Sequence, residues 1–143
     1  MNTQPDLFAE QDCRKVILFG YGGRTLVSTL KKLAIQNDAI VIDTRFAPNT
    51  RNDWSKENLI EILGSRYRHA KSLGNQNYRE NGTIQLYNPD IGIPKLAEYI
   101  QERNVILMCV CRKVANGCHR REILRLLEEY NQDKDFKYEI VEV

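Results

Sequence analysis

Three of the chain's four cysteines, Cys109, Cys111 and Cys118, stand close together, and His119 and Arg120 follow directly. Arg112, Lys113 and Arg121 add further cations to the same stretch. A thiol beside guanidinium groups and near a helix start is more acidic and more nucleophilic than a free one. Cys109 or Cys111 is therefore the expected nucleophile, and Cys118 a second, resolving thiol or helix-start donor. Cys109, Cys111, Cys118, His119 and Arg120 form the candidate catalytic set. Guanidinium and helix N–H groups there would hold an oxyanion such as sulfate, thiosulfate or phosphate.

Two other uses compete. Cys109, Cys111, Cys118 and His119 supply the ligand count of a tetrahedral zinc site. The Cys-x-Cys and adjacent Cys-His spacings and the surrounding cations argue against it, so no metal and no cofactor is expected. Alternatively the cysteines are small core residues. The loop would then bind a nucleotide or nucleic acid without covalent chemistry, through Arg120, Arg121 and its backbone. Whether the chain is an enzyme stays open between these readings.

Two other stretches could face the cysteine loop. Gly22, Gly23 and Arg24 form a Gly-rich turn after an apolar run, where backbone N–H groups can meet an anion. Asp43 and Arg45 close a second apolar run; Arg45 would bind anionic oxygen while Asp43 orients it. The long polar stretch 70–83 carries Lys71, Asn75, Tyr78 and Arg79, and could close over a ligand. Gly22, Gly23, Arg24, Asp43, Arg45, Asn75 and Tyr78 are the candidate binding residues.

Strands are expected at 15–19, 39–43, 66–69, 105–107 and 136–143. The last alternates apolar and polar residues and reads as an edge strand with one solvated face. Thr25 is expected to cap a helix with Leu26, Leu30 and Leu33 on one face. Ser55 caps another over 56–63, with Trp54 and Leu59 at the spacing of a hydrophobic staple. Trp54 and His69 read as packing and strand residues. Pro94 suits the first turn of a helix carrying Leu96, Ala97 and Ile100. A last helix covers 123–130.

Strands alternating with helices predict an α/β fold: a single-domain three-layer sandwich of about five mostly parallel strands, with helices on both faces. In such a sheet the strand C-termini share one edge, so the three stretches should converge.

At 143 residues the chain fits one α/β domain over 14–143, with residues 1–13 a loosely ordered tail that Leu7 and Phe8 could anchor. Hydrophobic residues at 42% and charged residues at 28% suit an ordinary globular domain. A net charge of +2 is too small to argue for nucleic acid by itself, although 43–79 has a mild excess of Lys and Arg. No apolar run nears the roughly 18–20 residues of a membrane span, and no leader pattern is read at the N-terminus. Clustered thiols suit a reducing compartment, so a cytoplasmic location and no membrane partner are expected. Oligomeric state is left open.

Several motifs occur together: Gly22-Gly23-Arg24-Thr25, Asp43-Thr44-Arg45, Trp54-Ser55-Lys56, Arg66-Tyr67-Arg68-His69, Leu73-Gly74-Asn75-x-Asn77-Tyr78 and Cys109-x-Cys111-Arg112-x5-Cys118-His119-Arg120. In this order they resemble the bacterial family known as domain of unknown function 488 (DUF488), over about residues 15 to 130. That resemblance implies a fold and a site but no established reaction. A weaker similarity is to rhodanese-type sulfurtransferases, which share an Asp-x-Arg strand end and a catalytic Cys after a later strand. It implies a thiolate in an anion cradle at Cys109 or Cys111. The loop here runs longer, to Cys118, His119 and Arg120.

Overall fold

A computed structural model describes residues 13–22, 25–48, 50, 52–77, 84–110 and 118–143. The readings made for Cys111, Gly23, Arg24, Tyr78 and Arg79, and for the tail up to residue 12, lie outside those residues.

Three apolar runs build the centre. Strands β1 (Arg14–Gly20), β2 (Ala39–Asp43) and β4 (Asn104–Cys109) are rich in Val, Ile and Leu and buried on both faces, as parallel strands require. Successive side chains go to opposite faces. Val16, Leu18, Ile40, Ile42, Val105 and Leu107 therefore join one core, and Ile17, Phe19, Ala39, Val41, Ile106 and Met108 the other. Each fully buried aliphatic side chain contributes roughly 1.5–3 kcal/mol before the entropy of ordering is counted.

The described residues form five strands, with β3 (Tyr67–His69) and β5 (Tyr138–Glu142) at the edges. The sheet is wholly parallel, in the order β3-β2-β4-β1-β5. Helices α1 (Val27–Gln36) and α2 (Lys56–Leu63) cover the face of Ile17 and Val41. Helices α3 (Pro89–Glu102) and α4 (His119–Asn131) cover the other. This is the expected three-layer α/β sandwich.

The connections decide where a ligand fits. β1 and β2 exit toward α1 and α2 on one face, while β4, lying between them, exits toward α4 on the other. Adjacent strands whose connections part in this way leave a crevice at their C-terminal ends. The register aligns Gly20 with Cys109, Asp43 with Met108, and Asp43 with His69 along that edge.

Several local expectations change. Helix α1 begins at Val27, and Leu26 rather than Thr25 holds the cap position, without a side-chain cap bond. Leu26 is 65% exposed, so it does not share the buried face of Leu30. Pro94 lies inside α3, not in its first turn. The helix starts a turn earlier, where Pro89 occupies the opening position that needs no N–H bond and Ile93 reaches the core. Ser55 does cap α2, its Oγ accepting from Asn58 N at 3.1 Å. β5 is an edge strand, but it does not split into one apolar and one solvated face. Val141 packs on one core, Tyr138 on the other, and Ile140 is 44% exposed.

Candidate functional site

The Asp43-Thr44-Arg45 turn is the frame of the site. Asp43 ends β2 with its carboxylate wholly buried. Oδ1 accepts from Arg45 Nε at 2.8 Å and Arg45 N at 3.1 Å, and Oδ2 from Arg45 Nη2 at 2.7 Å and the Tyr67 hydroxyl at 2.5 Å. Arg45 Nη1 donates to the Trp54 carbonyl at 2.7 Å and to Tyr21 Oη at 3.2 Å. Burial opposes the Arg45 charge, but the Asp43 bonds and charge outweigh it and raise its pKa further. Burial, then the Asp43 charge, pushes the Tyr67 phenol well above its ordinary value.

Thr44 connects this frame to the cysteine loop. Its N–H and Oγ1 both donate to the Met108 carbonyl, each at 2.9 Å. His119, the first residue of α4, places Nε2 at 2.8 Å from the Thr44 carbonyl and 3.0 Å from Thr44 Oγ1. A carbonyl only accepts, so Nε2 carries the proton and Nδ1 keeps the lone pair. Burial pushes the imidazole below its ordinary value, against the opposing pull of the Thr44 bond and Cys118. His119 is thus a neutral acceptor at neutral pH.

Cys109 ends β4 and Cys118 holds the position before α4; both are buried, and neither is in a disulfide. Their Sγ atoms are 3.7 Å apart. Arg120 Nε donates to Cys118 Sγ at 3.2 Å. The two sulfurs and a ring nitrogen of His119 all lie within 4.8 Å of one another, a grouping able to hold a soft metal ion.

A cavity of about 280 Å³ opens at this edge of the sheet. Arg45, Asn75, Cys109 and His119 line it together with Tyr21 and Phe46. Sequence-predicted residues from three separate stretches therefore meet. Asn75 also pins its own loop, its Oδ1 accepting from Asn77 N and Gln85 N. Gly22 is not among the described lining residues, although its neighbour Tyr21 is. Arg120 is completely buried, directed at Cys118 rather than outward. Trp54 packs, stacked on Tyr21 at 4.3 Å. His69 ends β3, its Nε2 at 2.8 Å from the Arg45 carbonyl.

Tyr21, Thr44, Tyr67 and the Trp54 carbonyl are contributions that sequence reasoning misses. Tyr21 and Thr44 did carry a signal, since each directly follows the end of a central strand. Tyr67 and the Trp54 carbonyl carried none, because their role depends on the neighbouring strand and loop.

No family profile, curated protein or solved structure matches this chain.

Proposed function

We propose that the chain carries out thiol-dependent chemistry on a small electrophilic molecule held in this cavity. Cys109 is the attacking thiol, because it both lines the cavity and lies 3.7 Å from a second thiol. That observation carries the reading. Cys109 Sγ bonds to the electrophilic atom as the leaving group departs with its electron pair, and the thiol proton passes to His119. Cys118, its sulfur bonded to Arg120, is the second thiol that can take over the group. Arg45 meets an anionic oxygen of the substrate, positioned by Asp43 and Tyr21. The DUF488 resemblance is compatible with this location and adds no reaction. Reduced thiols at the centre suit a reducing compartment such as the cytoplasm.

A nucleic-acid role draws less support. Arg120 is wholly buried and Arg45 is 8% exposed, so neither stands where a polymer's phosphates would reach it, which leaves the exposed Arg121 for that role.

The test is iodoacetamide labelling of the metal-free protein at neutral pH, mapped by mass spectrometry. The exposed Cys13 serves as the internal reference. Cys109 or Cys118 should label faster than Cys13; if neither does, thiol activation is wrong.

A further inference from the structure

The thiol reading uses Cys109, Cys118 and His119 as reacting groups. Their mutual geometry carries a second property. Tetrahedral zinc binds thiolate sulfur at about 2.3 Å, which places two sulfurs on one ion about 3.8 Å apart. The Cys109 and Cys118 sulfurs are 3.7 Å apart. A histidine that holds zinc through one ring nitrogen commonly donates the other N–H to a backbone carbonyl, which fixes its tautomer and aim. His119 makes that bond, Nε2 to the Thr44 carbonyl at 2.8 Å. Its lone pair is therefore on Nδ1, and a ring nitrogen lies within 4.8 Å of both sulfurs.

We propose that Cys109, Cys118 and His119 form a site for a single zinc ion, with the fourth position open to the cavity. The spacing objections concerned Cys-x-Cys and the adjacent Cys-His pair. Leaving out Cys111 removes the first; the pair Cys118-His119 stays, but its Sγ and a ring nitrogen lie within 4.8 Å of each other and of Cys109 Sγ. One ligand ends β4 and two begin α4, so the ligands come from two rigid elements. The objection from nearby cations also weakens. Two thiolates balance the ion, and Arg120 meets the site as an N–H donor to sulfur, an outer-shell bond that holds a thiolate in place. Cys109 and His119 both line the cavity, so a water or substrate atom can complete the tetrahedron from that side.

The proposal extends the thiol reading to its regulation, and rests on it for that role. A bound ion occupies both sulfurs and closes the site to electrophiles; its removal restores them. Binding exchanges the thiol protons for the ion, so two protons leave for each zinc taken up by two neutral thiols.

The experiment uses the full chain freed of metal by a chelator. Zinc is titrated against a chromophoric chelator, and cobalt(II) is added as a spectroscopic substitute. One equivalent of zinc should bind, and the cobalt form should show thiolate-to-metal charge transfer with tetrahedral d–d absorption. Zinc should slow iodoacetamide labelling of Cys109 and Cys118 by more than about tenfold and leave Cys13 unchanged. Cys118→Ser and His119→Ala should lose more than the ~10–100-fold in affinity that removal of a supporting residue costs. Cys111→Ser should stay within about tenfold of the parent; a larger loss closes the fourth position and overturns the open geometry. Where a variant fails to fold, the parent's cobalt spectrum and protection map decide. Substoichiometric zinc, a cobalt spectrum without thiolate charge transfer, or unprotected Cys109 and Cys118 overturns the site. Fast labelling without zinc uptake removes the metal and leaves the thiol chemistry. Zinc uptake with slow labelling of the metal-free chain does the reverse.

Discussion

Asp43 and Arg45 face each other side-on across a single residue, Nε to Oδ1 at 2.8 Å and Nη2 to Oδ2 at 2.7 Å. A planar fork meeting a planar carboxylate fixes both orientation and distance, which a lysine in the same place would not do. Tyr67 closes the remaining side of the carboxylate, and Tyr21 and Trp54 hold the guanidinium from beyond. The pair therefore sets the shape of the turn that carries Thr44, and through Thr44 the aim of His119.

Removing either partner strands a buried charge. Arg45→Met or Asp43→Leu should each destabilise the fold by about 3–5 kcal/mol in urea unfolding. The double variant should recover much of that loss, because no charge is then left unpaired. A double variant no more stable than either single one would mean that the pair does not act as a buried unit.

Tyr67 makes stability depend on alkaline pH. Its folded pKa is raised, so above about pH 10 the unfolded chain releases a proton that the folded chain keeps. The folded state then binds more protons, and stability falls by about 1.4 kcal/mol per pH unit from that point. Tyr138, pushed up to about 12 by burial and Glu128, acts in the same direction. Tyr67→Phe should flatten the alkaline slope while lowering stability near neutrality by about 1.5–3 kcal/mol through the lost bond to Asp43. Unfolding midpoints across pH 8–11 measure both; an unchanged slope would contradict the assignment to Tyr67.

Gly74 allows the loop after β2 to press against the segment beyond β3. A Cβ added there would lie 2.5 Å from Phe46 Cα, and that atom is backbone and cannot swing away. Gly74→Ala should cost about 1–3 kcal/mol. It should also alter the labelling rate of Cys109, because Phe46 lines the same cavity. Thermal unfolding and the labelling map would show the two effects together; a neutral variant would mean that the contact relaxes freely.

Thr44→Val keeps the carbonyl that His119 uses but deletes Oγ1, which both donates to Met108 and lies 3.0 Å from Nε2. The expected cost is about 1–3 kcal/mol, with a shift in the His119 ring resonances by NMR. Thr44→Ser should restore most of both, since it keeps the hydroxyl. A Val variant that matches the parent in both, or a Ser variant no better than Val, would mean that the hydroxyl bonds do not carry the effect.

The parallel core was legible because β1, β2 and β4 are unbroken apolar runs, and such runs suit strands covered on both faces. The Ser55 cap was legible for an equally local reason, since its partner Asn58 is three residues away. The convergence of Arg45, Cys109 and His119 followed from topology: parallel strands present their C-termini together. What stayed hidden depends on strand order. Nothing near Tyr67 announces that β3 will lie beside β2 and set its hydroxyl on Asp43. Arg120 looked like an outward cation, yet the first turn of α4 aims it at Cys118. Pro94 resembled a helix start because proline signals a first turn more often than an interior, and Pro89 carried the same signal one turn earlier.

The position of β4 between β1 and β2 has a consequence for biosynthesis. The two earlier strands are not neighbours in the finished sheet, and each must wait for β4 before its inner edge is paired. At roughly 5–20 residues per second, a ribosome takes on the order of seconds to pass from β2 to β4. For that interval the nascent chain exposes two apolar strand edges with no partner, the form in which chains recruit chaperones or stick to one another. Cys109 arrives on the strand that ends this interval. The strand that joins β1 to β2 thus also delivers the first site thiol, before α4 and β5 have been made.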